Sequence, residues 1–289
     1  MRDLKFGVSA LVMIFCAIIN AAGHVAEKEE NRDSLVIVNA DWHWKQLDRG
    51  AEVGYVSVRI FGSIQSISAI RYPASKFRTK ILHRPGQESL TTELIASQAG
   101  YVLAVNGSYF NMRELTPVTF LSLDHNVISV TSDSETFRTN GILAFRRANG
   151  RKMEISYCDS TEYDNCRKRN NMAIASGPVL IKNGEVSTFR HDEGFYDKRH
   201  PRTIIGQDNM GNYWFIVIDG RFPGKADGTT IPETAAVARY LGLEDAINFD
   251  GGGSSTLWTK ETGIVNHPCD NKKFDHAGTR RVPNVIVAK

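Results

Sequence analysis

The sequence predicts an α+β fold with a mostly antiparallel β-sheet core, a few flanking helices and a single domain. Three observations support this: short segments that alternate apolar and polar residues, turn-forming residues between them, and only two clear helical patterns. Apolar residues make up 42% of the 289-residue chain. That fraction is enough to bury a substantial core, so global disorder is not expected.

The strand predictions come from period-two alternation and from the turns that follow it. Residues 55–61 and 66–72 alternate in the way that half-buried strands do. Residues 101–105 form an apolar run that leads into Asn106 and Gly107, where a turn is expected. Further turns between paired strands are predicted at residues 124–126, 148–150 and 208–211.

Two helices are predicted. Residues 89–98 read as a short helix that ends before Gly100. The second begins at Thr230, which stands three residues before Glu233 in capping-box spacing, and Gly242 marks its end.

The N-terminus has the pattern of a secretory signal. Residues 1–22 carry Arg2 and Lys5, then an apolar stretch, then small residues. This stretch is shorter than the roughly 20 residues of a spanning helix, so a secreted, periplasmic or cell-envelope protein without an integral membrane span is predicted. Lipid anchoring at Cys16 is less favoured, because Phe15 precedes it where a small residue is needed. Residues 23–49 are interpreted as a linker and a first strand.

Charge and cysteine content limit the partners. The net charge of +3 becomes +2 without Arg2, Asp3 and Lys5, and no long basic block is present, so a nucleic-acid partner is not predicted. In an exported chain Cys158 and Cys166 could close a loop through a disulfide, with Cys269 left free; unpaired thiols remain the alternative. No cofactor and no metal site are predicted, although calcium sites leave little trace in a sequence.

The segment most indicative of chemistry follows the apolar strand that ends at Phe249. Asp250 comes first, then three glycines and the hydroxyl residues Ser254 and Ser255. Glycines allow close approach of the backbone, exposed N–H groups can bind an anion, and a carboxylate at a strand end can act on a reacting centre. A flexible loop is the alternative interpretation.

A second acid has a similar setting. Asp219 follows the apolar residues 216–218 and precedes Gly220 and Arg221. Two carboxylates at neighbouring strand ends would suit glycosidic cleavage, whereas an ordinary turn at Asp219 is the alternative. Glu233 is a third acid, but its capping-box position already accounts for it.

Positive charge and small residues complete the candidate site. Arg202, beside His200, could hold a phosphodiester by a bidentate contact, or form a surface ion pair. Ser176 and Gly177 precede another apolar run and could line a site or form a turn. Arg280 and Arg281 offer further positive charge near the C-terminus.

Taken together and in order, these segments resemble the phosphodiester glycosidase family over roughly residues 50–289. The segments that carry the resemblance are 105–110 (VNGSYF), 175–178 (ASGP), 200–203 (HPRT), 219–221 (DGR), 248–256 (NFDGGGSST) and 281–284 (RVPN). The chain departs from the family at Ser108, where a second glycine is common.

The resemblance implies a pocket built from these segments. By this comparison Asp250, Asp219 and Glu233 are the candidate catalytic residues. The candidate substrate-binding residues are Asn106, Tyr109, Ser176, Gly177, His200, Arg202, Arg221, Gly251, Gly252, Gly253, Ser254, Ser255 and Arg281.

The implied function is that of an exported hydrolase that cleaves a sugar-1-phosphodiester at the glycosidic bond, with a glycan or envelope sugar phosphodiester as substrate. Two alternatives remain: a glycan-binding or cell-envelope module that uses the same cleft without turnover, and direct attack at phosphorus.

Overall fold

The computed structural model describes residues 32–192 and 194–289. The chain divides into two compact units, residues 1–40 and residues 41–289. In the first unit residues 32–38 form helix α1. The predicted signal, residues 1–22, lies outside the described residues. Among the residues that are described, no helix is both long and apolar enough to cross a membrane.

The second unit contains all the strands described. The first eleven are β1 His43–Gln46, β2 Glu52–Ile60, β3 Ser63–Pro73, β4 Thr79–His83, β5 Leu90–Thr91, β6 Leu103–Asn106, β7 Phe110–Asn111, β8 Thr116–Pro117, β9 Leu121–Leu123, β10 Asn126–Ser129 and β11 Gly141–Phe145. The others are β12 Met153–Tyr157, β13 Met172–Ser176, β14 Val179–Lys182, β15 Glu185–Val186, β16 Arg202–Asp208, β17 Asn212–Ile218, β18 Leu243–Phe249, β19 Leu257–Thr259, β20 Gly263–Ile264, β21 Arg281–Val282 and β22 Asn284–Ala288. The helices of this unit are α2 Thr92–Gln98, α3 Tyr163–Arg169 and α4 Ile231–Tyr240.

Three antiparallel sheets form the framework. The largest has eight strands in the order β1-β2-β3-β17-β16-β18-β14-β15. Two five-stranded sheets have the orders β20-β19-β6-β22-β4 and β10-β9-β13-β11-β12. The predicted α+β fold with a mostly antiparallel core and few helices is therefore confirmed.

The three sheets share one apolar core. Phe215 and Phe249 from the largest sheet, Val105 from the second and Leu143 from the third belong to one cluster of buried side chains. Burying a side chain of this size contributes roughly 1.5–3 kcal/mol. Helix α4 packs against β14 and β18 and covers part of the largest sheet.

Local sequence signals account for several of these elements. The turn at residues 208–211 joins β16 to β17, with Gly211 at a positive φ of 84° that favours glycine. The capping box of α4 is complete: Thr230 Oγ1 accepts from the Glu233 N–H, and the Glu233 carboxylate accepts from the Thr230 N–H. These turn and cap predictions are confirmed.

Two predictions needed correction. Strand β3 is buried along most of its length rather than half-buried, with Ser66 and Ser68 fully inside, because it lies between β2 and β17 within the sheet. The predicted helix at residues 89–98 begins only at Thr92, because residues 90 and 91 pair with β21 as a strand.

The topology of β16, β17 and β18 positions the candidate site. Strand β16 runs antiparallel to both neighbours, so β17 and β18 end at the edge of the sheet where β16 begins. In the register, Arg202 pairs with Ile218 and Thr203 pairs with Phe249. Asp219 and Asp250, each one residue beyond its strand, therefore follow strands on either side of Arg202.

Candidate active site

A polar cavity lies at this edge of the sheet. Its volume is about 270 Å³. The lining residues are Tyr109, Arg138, Phe195, His200, Pro201, Arg202, Arg221, Asp250, Gly251, Gly252, Gly253 and Arg280. Among the described residues Asp250 is the one carboxylate in this lining, which also contains four arginines.

Two hydrogen bonds to its backbone atoms hold Asp250 in place. Its N–H donates to the Gly107 carbonyl at 3.2 Å, and its carbonyl accepts from Asn106 Nδ2 at 2.7 Å. The residue borders the cavity, yet its carboxyl group lies deep among protein atoms, and this burial raises the pKa of Asp250 to about 6. The Ser254 hydroxyl, Arg138 and Arg280 oppose the rise. A pKa near neutrality is typical of a group that exchanges protons or attacks during catalysis.

The Ser254 hydroxyl lies beside Asp250 without a well-aligned partner. It is fully buried, and no hydrogen bond of good geometry to another described residue satisfies it. The Ser254 hydroxyl nevertheless lies close enough to Asp250 to lower the pKa of that carboxyl group. A buried, unsatisfied hydroxyl calls for an explanation, and here a substrate atom or water could supply the partner.

The glycine loop is tightly built. Gly252 has a φ of 60°, which favours glycine, and a Cβ at Gly253 would fall on Asp270 Oδ1 and the Arg280 guanidinium. The Gly252 N–H donates to the Pro201 carbonyl at 2.9 Å. A hydrogen bond from the Gly251 N–H to the Asp250 carboxyl group lowers the pKa of Asp250. Within the described residues, the Gly253 N–H has no such partner and can face an anion.

The four arginines differ in how they are held. Arg138 donates from Nε to Glu135 at 2.7 Å, and Arg280 donates from Nε to Asp270 at 2.7 Å. These two cations are therefore compensated by acids. Arg138 also covers the Tyr109 ring at 3.9 Å from its centroid.

Arg202 is buried without an acid partner among the described residues. Its Nε donates to the Thr229 carbonyl, and its Nη2 donates to the carbonyls of Phe195 and Lys198, at 2.7–2.9 Å. Burial lowers the pKa of Arg202 to about 10, so it remains a cation at neutral pH. These contacts leave Nη1 available to an anion in the cavity.

Arg221 is the most exposed cation of the cavity. Its Nη1 contacts Cys269 Sγ at 3.8 Å, and its guanidinium lies over Gly252. In the described part of the chain no carboxylate pairs with it. Arg202 and Arg221 thus supply positive charge that the protein itself does not neutralise, which suits an anionic ligand.

Asn106 supports the site and does not line it. The side chain is fully buried; Oδ1 accepts from Thr203 Oγ1 at 3.0 Å and from the Thr256 N–H at 3.1 Å, while Nδ2 holds Asp250. With its donors and acceptor engaged, this side chain positions the loop. These bonds favour a positioning role for Asn106, and a direct contact with substrate stays a prediction.

Asp219 also differs from the expectation. The residue is 1% exposed, and its carboxylate accepts from Ser66 Oγ at 2.6 Å, from Asn266 Nδ2 at 3.0 Å and from the His267 N–H and ring at 2.9 and 3.0 Å. These contacts consume its lone pairs. The backbones of Asp219 and Asp250 converge at one sheet edge, but only Asp250 presents its carboxyl to the cavity.

Glu233 has no access to the cavity either. Besides capping α4, its carboxylate is bound by Arg199 at 2.6–3.2 Å. The capping-box interpretation is the correct one. The cap and the ion pair with Arg199 account for this carboxylate, and a catalytic role for Glu233 stays a prediction.

Among the other predicted residues, some line the cavity and some do not. Tyr109, His200, Arg221 and the three glycines line the cavity, whereas Arg281 donates to the carbonyls of Ser89 and Gln87 elsewhere. Burial lowers the pKa of His200, so it is largely neutral at pH 7. Ser176, Gly177 and Ser255 do not line the cavity, but each bonds a neighbouring residue: the Ser176 hydroxyl donates to the Asn248 carbonyl, the Gly177 carbonyl accepts from Tyr109, and Ser255 accepts from Thr203.

Two side chains of the cavity, those of Arg138 and Phe195, were missed from sequence. Arg138 and Phe195 lie in irregular segments with no periodicity or motif to mark them. Arg280 is adjacent to the predicted Arg281, and only the direction of the chain at this point decides which of the two faces the cavity.

A larger cavity of about 320 Å³ lies elsewhere, and it is mainly apolar. Its two acids are already paired, Asp48 with Arg49 and Glu261 with Lys45. It flanks Leu103, at the opposite end of β6 from Asn106, and so does not adjoin Asp250. In residues 32–192 and 194–289 no group of three or more His, Cys, Asp or Glu side chains is placed to hold a metal.

The cavity places a carboxyl group among four arginines on a β-rich α+β framework, an arrangement that suits an anionic ligand. A family model described as phosphodiester glycosidase matches residues 99–289. The chain therefore belongs to the phosphodiester glycosidase family, and the resemblance inferred from its motifs is confirmed. Membership supports a glycosidase-type function.

Solved structures share the fold. A protein from Synechocystis has a TM-score of 0.64 at 14% identity, over 85% of this chain and 63% of that protein. The catalytic domain of zebrafish N-acetylglucosamine-1-phosphodiester alpha-N-acetylglucosaminidase, auto-inhibited by its pro-peptide, has a TM-score of 0.62 at 17% identity, over 85% and 87% of the two chains. A candidate exported protein from Burkholderia pseudomallei has a TM-score of 0.57 at 15% identity, over 80% and 75%. A comparison with curated protein sequences gives no match.

Proposed function

We propose that this protein is an exported hydrolase that cleaves a sugar-1-phosphodiester at the glycosidic bond and releases free sugar and a phosphomonoester. The observation that carries the proposal is the juxtaposition of Asp250 with Arg202 and Arg221: in the part of the chain that the structure describes, Asp250 is the single carboxylate of the cavity and neither arginine has an acid partner. The carboxylate acts at the anomeric carbon of the sugar, and the arginines bind the phosphate. The signal-like pattern of residues 1–22 supports export.

The phosphodiester binds at the cationic part of the cavity. Arg221, Nη1 of Arg202 and the Gly253 N–H form a set of donors for its oxygens. Donors aimed at the leaving phosphate stabilise the charge that develops there as the bond to the sugar breaks. Because a phosphomonoester is a weak base, its departure needs little help from a general acid.

Asp250 acts at the anomeric carbon. With a pKa of about 6, its carboxylate predominates at neutral pH. It either removes a proton from the attacking water or attacks the carbon itself to give a glycosyl-enzyme that water then hydrolyses. In both routes the C–O bond to phosphate breaks, and water supplies the oxygen of the new sugar hydroxyl and the protons that balance the products.

The direct test is turnover of an N-acetylglucosamine-1-phosphodiester, the substrate class in the zebrafish relative's name. Asp250→Asn should lower kcat by at least about a hundredfold while the circular dichroism spectrum is retained. Asp164→Asn is the matched control, since Asp164 is an exposed helix residue paired with Arg167 and Lys168. Unchanged kcat in the Asp250 variant would reject its role.

The same assay separates the alternatives. Saturable binding without product would favour a glycan-binding or envelope module. Release of a sugar phosphate, with oxygen-18 from water in the phosphate, would show attack at phosphorus. Oxygen-18 in the sugar, and the anomer first seen by NMR, would establish glycosidic cleavage and its stereochemical course.

A further inference from the structure

Two cysteine side chains lie together outside the candidate active site. Cys158 follows β12, and Cys166 lies in α3. Both are free thiols buried in one small cluster, where the rings of Phe120 and Tyr163 stack with centroids 4.3 Å apart. Each thiol shifts the pKa of the other, and both cysteines line the same small cavity.

The environment distinguishes the two thiols. Contact with Cys158 lowers the pKa of Cys166, and Asn170 Nδ2, which donates to its sulfur at 3.4 Å, acts in the same direction. The contact with Cys166 raises the pKa of Cys158. Cys166 is therefore the thiol that more readily becomes a thiolate, the form that attacks disulfides.

A small cavity borders both sulfur atoms. Its volume is about 30 Å³, and Glu162, Arg169 and Asn170 also line it. That is room for about one water molecule. Helix α3 has seven residues and packs on β13 beside this cavity.

We propose that Cys158 and Cys166 are a modification site, forming a reversible intramolecular disulfide when the protein meets a disulfide oxidant. The Cys166 thiolate attacks the oxidant's S–S bond and releases one thiol. Cys158 then loses its proton and attacks the mixed disulfide, which releases the second thiol. Two cysteines are oxidised and one disulfide is reduced to two thiols. The proposal is independent of the proposed catalytic activity.

The bond would join the end of β12 to α3. It would close a loop of nine residues, 158 through 166, and so restrict the unfolded chain. For a loop of this length in a domain of this size, Tm is expected to rise by roughly 5–10 °C.

The experiment incubates the purified full chain in a buffer of oxidised and reduced glutathione. The protein is then acid-quenched, unfolded, labelled with a maleimide and analysed by intact mass and peptide mapping. The expected product retains two labelled cysteines, Cys16 and Cys269, and has a Cys158–Cys166 cross-linked peptide. Its Tm should fall again after dithiothreitol.

Matched variants identify the pair. Cys269→Ser should keep both the cross-link and the Tm rise, whereas Cys166→Ser should lose both. Four labelled cysteines in the oxidised wild type, or glutathione attached without a cross-link, would overturn the proposal. Because peptide mapping of the wild type gives this answer directly, a variant that fails to fold does not weaken the test.

Discussion

Replacing Asp250 by Asn should abolish activity and, at neutral pH, make the protein more stable. Burial raises the pKa of Asp250 from an ordinary value near 3.8 to about 6. Each tenfold change in an acid dissociation constant corresponds to about 1.4 kcal/mol, so keeping this carboxylate ionised costs up to about 3 kcal/mol of folding free energy. Asn has a similar shape and cannot ionise.

The pH dependence has a defined sign. Between about pH 4 and pH 6 the folded protein binds the Asp250 proton more tightly than the unfolded chain does, so this group lowers the free energy of unfolding as pH rises through that window. The advantage of the Asn variant should be up to about 3 kcal/mol at pH 7.5 and about half of that at pH 5. Water in the cavity makes these values upper limits.

Urea denaturation followed by tryptophan fluorescence at both pH values measures the difference. Asp164→Asn again serves as control, since its exposed carboxylate should show no such gain. The reasoning would be refuted if Asp250→Asn were no more stable than wild type at pH 7.5. It would also be refuted if the difference in the free energy of unfolding between the two proteins did not change with pH.

Three further predictions concern the cavity and its supports. The kcat/KM of the wild type should rise with pH through about 6 as Asp250 ionises, in a stopped assay from pH 4.5 to 8. Arg221→Gln should reduce kcat/KM by about 10- to 100-fold, the value of a charge-assisted hydrogen bond, while Arg239→Gln on α4 serves as a surface control; equal effects would contradict a phosphate contact. Thr230→Ala should cost about 1 kcal/mol in urea denaturation through loss of the α4 cap, with little change in kcat.

Elements governed by local physics were predictable from sequence. Period-two alternation at residues 55–61 corresponds to β2, and the turn at 208–211 joins the expected strands. The capping box of Thr230 and Glu233 specifies its own hydrogen bonds within four residues. In each case the interacting groups are neighbours in the chain.

Side-chain direction at the strand ends was not predictable. Asp219 and Asp250 follow similar apolar strands, yet Asp219 is bonded by Asn266 and His267, which are 47 and 48 residues away. Arg138 reaches the cavity from a loop with no pattern of its own. Such contacts depend on tertiary packing, which a single sequence does not encode in any local period.

The bonds of Asn106 have a consequence for substitutions in the loop that it holds. Its amide bonds the carbonyl of Asp250 and the N–H of Thr256, which are main-chain atoms, and only its bond to Thr203 uses another side chain. Exchanging the side chain of Asp250 therefore leaves the main-chain contact with Asn106 in place, and the loop keeps its course while the reacting group is altered.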